Sequence, residues 1–230
     1  MSVDLKARLK GLLPRGLAHA VGDFRNVSPA ARLTYLRLWV FRALRIQREA
    51  FRDMDFKIRS VLIVCYGNII RSPVAAALVK KYLADLRCTS ISVRSAGTCV
   101  QPGRGADERA LLVSRECGIS LESHRAQPLT SALVEGSDLI LVMDHRNEAE
   151  LLARYPKAKN KVFMLGGIQA ECFSQCAEIP DPYAGTTEDV RQCYETLKSC
   201  AQRLAVALST AMDEHPERSL GFASPKSPRV

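Results

Sequence analysis

Apolar residues recur along the chain in two spacings. Val61-Leu62-Ile63-Val64 is an unbroken, mostly β-branched run, which predicts a strand buried on both faces of a parallel sheet. Strand-like runs return at Thr89 to Arg94, Leu139 to Met143 and Lys161 to Leu165. Between and after them the spacing turns helical, over Pro73 to Leu83, Ala106 to Cys117, Arg146 to Arg154 and Thr187 to Met212. Strands alternating with helices predict an α/β domain: a four-stranded parallel sheet with helices on both faces and its ligand at the carboxyl ends of the strands. No internal repeat interrupts this alternation.

The start of the chain follows another pattern. Ser28-Pro29 reads as a helix cap and first helical position. On a helical wheel from Arg32 to Met54, Leu36, Trp39, Val40, Ala43, Leu44, Ile46 and Phe51 share one side. Arg37, Arg42, Arg45, Arg48 and Arg52 share the other, with Leu38 and Phe41 blurring the division. Charge respects the same boundary: residues 1–60 carry thirteen Lys or Arg against five Asp or Glu, net +8, while the rest carry twenty against nineteen. The expected organisation is a basic, mainly helical N-terminal extension (1–57), a nearly neutral α/β domain (58–212) and a disordered tail (213–230) rich in Pro, Ser and charge.

No stretch is apolar enough to span a bilayer. The apolar face of the extension is expected to pack on the domain or on a second copy of the chain, with docking on anionic lipid as the other reading. Asp4 and Asp23 weigh against an organelle transit peptide. Nucleic acid is not an expected partner, because the basic segment lacks interleaved aromatics. Eight Cys without a secretory signal imply reduced thiols and a cytoplasmic, at most membrane-peripheral, protein. Cys172-x3-Cys176 and Cys193-x6-Cys200 fit neither zinc pairs nor a redox Cys-x-x-Cys, so no metal or cofactor is expected.

Chemistry concentrates where the first strand should end and the first long helix begin. Cys65 closes the apolar run and Arg71 follows after Tyr66, Gly67, Asn68, Ile69 and Ile70, with Ser72-Pro73 next. A helix N-terminus and a nearby cation favour a nucleophilic thiolate at Cys65. Gly67 and Asn68 tolerate positive φ, so the backbone amides of this loop can turn inward as a nest for phosphate oxygens. Arg71 supplies a bidentate fork, and Ser72, read as the helix N-cap, is placed to donate its hydroxyl to the thiolate. Asp181, between Pro180 and Pro182, offers a carboxyl group on a restricted loop, the requirement for a general acid that protonates the leaving oxygen.

The loop, Cys65-Tyr-Gly-Asn-Ile-Ile-Arg-Ser-Pro73, resembles that of the low-molecular-weight protein tyrosine phosphatases, which reads Cys-x-Gly-Asn-x-x-Arg-Ser-Pro. The resemblance continues through Arg94 to Thr98, Gly103 to Ala110, Gly118-Ile119, His124-Arg125-Ala126, Asp138 to Asp144 and Asp181-Pro182-Tyr183. It implies that fold, a phosphocysteine intermediate, and Asp181 as the acid. It further implies that Asn68 braces the loop with His124 as partner, and that Tyr66 and Tyr183 wall a slot for an aromatic phosphate ester. The Ser-Ala-Gly-Thr to Gly-Ala-Asp stretch looks like bacterial members that accompany tyrosine kinases of surface-polysaccharide export, which implies a phosphotyrosine protein as substrate.

Three positions depart from the pattern. Ile70 stands where many members carry a second Cys that protects the nucleophile, Gln101 replaces an aromatic or aliphatic pocket residue, and Ala76 replaces a Glu. Two alternatives stay open: an arsenate reductase, whose two further thiols would fall where this chain has Ser137 and Asp144, and a non-catalytic phosphate-binding module.

Overall fold

The computed structural model describes residue 24 and residues 26–43, 58–169 and 178–213. Four parallel strands form one sheet: β1 (Ser60–Cys65), β2 (Ser92–Gly97), β3 (Leu139–Val142) and β4 (Val162–Met164), in the order β2-β1-β3-β4. Around it run α1 (Arg32–Ala43), α2 (Arg71–Asp85), α3 (Glu108–Glu116), α4 (Ser131–Glu135), α5 (His145–Arg154) and α6 (Thr187–Asp213). Period-two alternation divides the central strand between two cores. Val61, Ile63 and Cys65 face Val74, Leu78, Leu197 and Leu204 of α2 and α6. Leu62 and Val64 join Ile140, Val142, Val134 and Leu151 on the other side. With helices on both faces every residue from Val61 to Cys65 is buried, which is why the run is continuously apolar.

Two elements shift from their sequence-predicted places. The second strand begins at Ser92 rather than Thr89, because Arg87 takes a left-handed φ of 57° to end α2 and residues 88–91 link back to the sheet. It runs on to Gly97 through small residues that no β-propensity argument would extend. α2 starts at Arg71, two residues before Pro73, so Ser72 lies within its first turn and Ile70 is the cap residue. Pro73 is tolerated there because the first-turn N–H groups lack helical partners in any case.

The described part of the extension packs on the domain. Val27, Ala31 and Tyr35 are buried with Ala149 of α5, and the Ser28 N–H and Oγ donate to Glu150 at 2.6 and 2.8 Å. This anchor turns α1 so that Tyr35 and the partly buried Leu38 face α5, whereas Leu36, Trp39 and Val40 face solvent. The docked side is thus not the side richest in large apolar residues. Residues 44–54 of the wheel, Cys172, Cys176 and the tail beyond 213 lie outside the described residues. Among the described residues no helix is long and apolar enough to cross a membrane.

Candidate active site

β1 delivers Cys65 to the carboxyl edge of the sheet, and the chain turns through residues 66–70 into α2. Cys65 is buried, with the Asn68 backbone N–H donating to its Sγ at 3.2 Å and Ser72 Oγ 3.0 Å away. Ser72 Oγ accepts from Asn68 Nδ2 at 2.8 Å, so its own proton is left for the sulfur at 3.0 Å or for the Ala96 carbonyl at 3.4 Å.

Asn68 organises this loop. Its φ of 53° is left-handed, a conformation Asn adopts more readily than most residues. Its side chain is fully buried: Nδ2 also donates to Ser95 Oγ at 3.0 Å, and Oδ1 accepts from the Gln127 N–H at 2.9 Å. His124 binds Asn68 through the backbone carbonyl, at 2.7 Å from Nε2, and not through the side chain that the resemblance pointed to. The side-chain amide is turned toward β2 and Gln127, leaving the carbonyl for the imidazole. A carbonyl can only accept, so Nε2 carries the proton. Burial lowers the His124 pKa, the bond to Asn68 opposes this, and Arg125 and Lys80 add to the lowering.

Gly97 permits the close approach of β2. A Cβ there would lie 2.6 Å from the Tyr66 carbonyl oxygen, 3.0 Å from the Asn68 nitrogen and 2.4 Å from Val100 Cγ1. Thr98 and Cys99 then donate their N–H groups to the Cys65 and Tyr66 carbonyls at 3.0 and 2.9 Å. Ile69 and Ile70 bury their side chains, leaving the loop to present backbone. No side chain caps α2. Its first-turn amides are therefore open to an anion.

Arg71 is 2 % exposed and held by two carboxylates. Nη1 donates to Asp144 Oδ2 at 2.6 Å and to the Ile179 carbonyl at 3.0 Å, and Nη2 donates to Asp181 Oδ2 at 2.6 Å. Burial opposes its charge, but Asp144, Asp181 and Cys65 outweigh burial and raise its pKa. Asp144, which caps α5 by accepting from the Asn147 N–H at 2.7 Å, is a site residue that the sequence reading named only as the end of a resembling stretch and as a non-thiol, with no role in the site. Its signal was present: an Asp just beyond a buried strand, at the edge where parallel sheets gather their ligands.

The acid loop is tied to the phosphate loop by a bridge that sequence reasoning also missed. The Asp107 N–H donates to the Ile69 carbonyl at 2.9 Å. The Asp107 carboxylate pairs with Arg109, Nε to Oδ1 at 2.9 Å and Nη2 to Oδ2 at 3.0 Å. Arg109 continues to the carbonyls of Tyr183 at 3.1 Å and Gly185 at 2.5 Å. The hydrogen bond to Arg109 is the main cause that holds the Asp107 carboxyl below its ordinary pKa. Asp181 itself starts the short turn Pro182–Ala184 and accepts from the Tyr183 N–H at 3.3 Å.

Tyr66 stands beside the loop with the Arg146 guanidinium 4.0 Å over its ring, and Tyr183 is exposed on the acid loop. A hydrogen bond to Cys99 and partial burial raise the Tyr66 pKa, against the opposing charge of Arg146. Gly67, with nothing closer than 3.5 Å to an added Cβ, is not forced by space. At the positions of the two further reductase thiols, Ser137 donates to the Leu133 carbonyl at 2.6 Å and Asp144 binds Arg71, so neither offers sulfur.

A family model described as low molecular weight phosphotyrosine protein phosphatase matches residues 60–214. The low molecular weight protein-tyrosine-phosphatase Wzb of Escherichia coli (strain K12) is 37% identical over 150 residues, covering 65% of this chain and 95% of that protein. Among solved structures, the tyrosine phosphatase Wzb from Escherichia coli K30 in complex with sulphate superposes with a TM-score of 0.59 at 32% identity, covering 66% of this chain and 99% of that one. The YwlE arginine phosphatase from Geobacillus stearothermophilus gives 0.62 at 32% identity, covering 68% and 97%.

Proposed function

This chain belongs to the low molecular weight phosphotyrosine protein phosphatase family, and we propose that it hydrolyses phosphotyrosine in proteins with Cys65 as nucleophile, Arg71 as phosphate clamp and Asp181 as acid and base. The observation that carries this reading is the convergence of the three groups: Arg71 touches Asp181 directly, and Ser72 and Asn68 both hold the Cys65 sulfur. In the first step the thiolate attacks phosphorus while the P–O ester bond breaks and Asp181 gives its proton to the departing phenolic oxygen. Arg71 and the amides of residues 66–72 take the charge on the equatorial oxygens. In the second step Asp181 accepts a proton from water, whose oxygen attacks phosphorus, and the Cys65–phosphorus bond breaks to return the thiolate and release phosphate. Asn68, Ser72 and His124 position the loop; Tyr66 and Tyr183 flank a phenyl ring.

The substrate class is proposed as a phosphorylated tyrosine protein, such as a bacterial tyrosine kinase of surface-polysaccharide export, on the resemblance of the Ser95 to Asp107 stretch to that branch. Residues 58–212 form the proposed catalytic unit. The nucleophile's need for a reduced thiol supports a cytoplasmic location, and the basic extension is proposed to dock the enzyme on a second copy or an anionic membrane.

The test is hydrolysis of p-nitrophenyl phosphate and a phosphotyrosine peptide in EDTA, by wild type and Cys65→Ser. Activity in wild type alone, with a phosphorylated Cys65 trapped by rapid quench, is the expected result. Phosphoarginine serves as the comparison substrate, since a neighbour of equal identity is an arginine phosphatase. Faster turnover of phosphoarginine would overturn the tyrosine assignment, and an inactive wild type would leave a phosphate-binding module.

A further inference from the structure

Helix α1 buries one side and leaves the other bare. Ala31, Tyr35 and Leu38 face α5, with the Ser28–Glu150 hydrogen bonds fixing the rotation. At about 100° per residue, Leu33, Leu36 and Val40 gather on a stripe turned away from Tyr35. Their exposures are 58%, 48% and 40%, and Trp39, at 36%, stands on the edge nearest the docked side. Of the eight large apolar side chains exposed among the described residues, four lie on this one helix, so the stripe is a local concentration and not background. Arg32 and Arg37, both exposed, border it.

We infer that this stripe is a docking face for an anionic membrane surface. Charge selects that occupant: residues 1–60 carry net +8 whereas the remaining residues carry net +1, so the positive field is concentrated on the segment that bears the stripe. Size argues against a second copy. Among the described residues, the three or four side chains of the stripe fall well short of the roughly 800 Å² per partner that a stable dimer buries. A two-fold pairing of the stripes would also set Arg32 and Arg37 near those of the other copy. A lipid surface needs no minimum patch and attracts the same arginines, while Leu33, Leu36 and Val40 enter the acyl boundary and Trp39 sits at the headgroup level. The inference rests on the proposal that the extension docks, and not on the phosphatase chemistry.

Trp39 is the single Trp of the chain, so its emission reports on the stripe directly. The full chain is titrated with vesicles of phosphatidylcholine alone and of phosphatidylcholine mixed equally with phosphatidylglycerol, at low and high salt. The expected result is a blue shift and co-sedimentation with the mixed vesicles only, weakened by salt. Arg32→Glu/Arg37→Glu and Leu33→Ser/Leu36→Ser/Val40→Ser should each weaken partition by about tenfold or more, with p-nitrophenyl phosphate turnover unchanged. Binding by Cys65→Ser equal to wild type separates this result from the fate of the phosphatase reading. The inference is overturned by equal binding to neutral vesicles, by no response to either, or by a vesicle-free blue shift that tracks a doubling of mass, which assigns the stripe to a second copy.

Discussion

Arg71 Nη2 stands 2.6 Å from Asp181 Oδ2, so the proposed clamp and the proposed acid neutralise each other before substrate arrives. A phosphate dianion entering the nest competes with the Asp181 carboxylate for the fork, and the carboxylate displaced from Arg71 can then take up a proton from solvent or from the substrate phosphate and give it to the leaving oxygen. Asp181→Asn removes the competing charge along with the acid. We expect kcat to fall by about 10² to 10⁴ while inorganic phosphate inhibits more strongly than in wild type. Weaker phosphate inhibition in the variant would show that Asp181 does not compete for Arg71.

Asp144 holds the other arm of the same fork from within the protein, at 2.6 Å, and caps α5 with its second oxygen. Asn and Asp cap helices about equally well, so Asp144→Asn separates the two duties. Thermal stability should change little, while kcat/KM should fall because the guanidinium loses a charged partner that fixes its plane. Asp144→Ala should lose both, with a further stability cost of about 1 kcal/mol for the missing cap. A normal kcat/KM in Asp144→Asn would mean that the loop and Ile179 carbonyl suffice to orient Arg71.

Much of this arrangement was legible in the chain, and the illegible part has a common cause. The strand Val61 to Cys65 and the loop to Arg71 could be read because burial on both faces leaves an unbroken apolar run and because anion binding restricts residue types to those with small or adaptable backbones. Asp144, Arg109 and Gly97 were not assigned their duties, since each acts through a partner far off in sequence: Arg71, the carbonyls of Tyr183 and Gly185, and the Tyr66 carbonyl. Leu36 and Val40 mark the same limit from the other direction. A wheel finds a helix's apolar side, but the Ser28–Glu150 anchor decides which side is docked.

Arg109 links the phosphate loop to the acid loop without reaching the reacting atoms, which makes it a positioning residue. If it holds Asp181 in range, its loss should matter most where the leaving group needs a proton. Arg109→Gln is expected to reduce kcat several-fold for phenyl phosphate and far less for p-nitrophenyl phosphate, whose leaving group departs with less help. An equal loss on both esters would assign Arg109 to general stability.

Gly97→Ala tests whether the β2 edge shapes the nest. The added Cβ would meet backbone at 2.6 Å on the Tyr66 carbonyl, and backbone cannot swing aside as a side-chain end can. Displacement of the loop should lower kcat/KM and destabilise the fold by about 1 to 3 kcal/mol. Wild-type values for both would show that the loop absorbs the methyl group elsewhere.

His124 supplies a pH signature with a definite sign. Its pKa is lowered in the folded protein, chiefly by burial, so below its unfolded value of about 6.5 the unfolded chain takes up the proton more readily. The stability that the neutral imidazole contributes is therefore fully present above that value and is lost as pH falls through the folded pKa. Chemical denaturation at a series of pH values should show wild type weakening on the acid side. His124→Gln, which keeps a side-chain donor for the Asn68 carbonyl but does not titrate, should show a flatter profile. The carboxylates still contribute their own acid limb in both proteins, so the quantity to compare is the difference between the two curves. A difference that does not change with pH would remove His124 as a source of acid sensitivity.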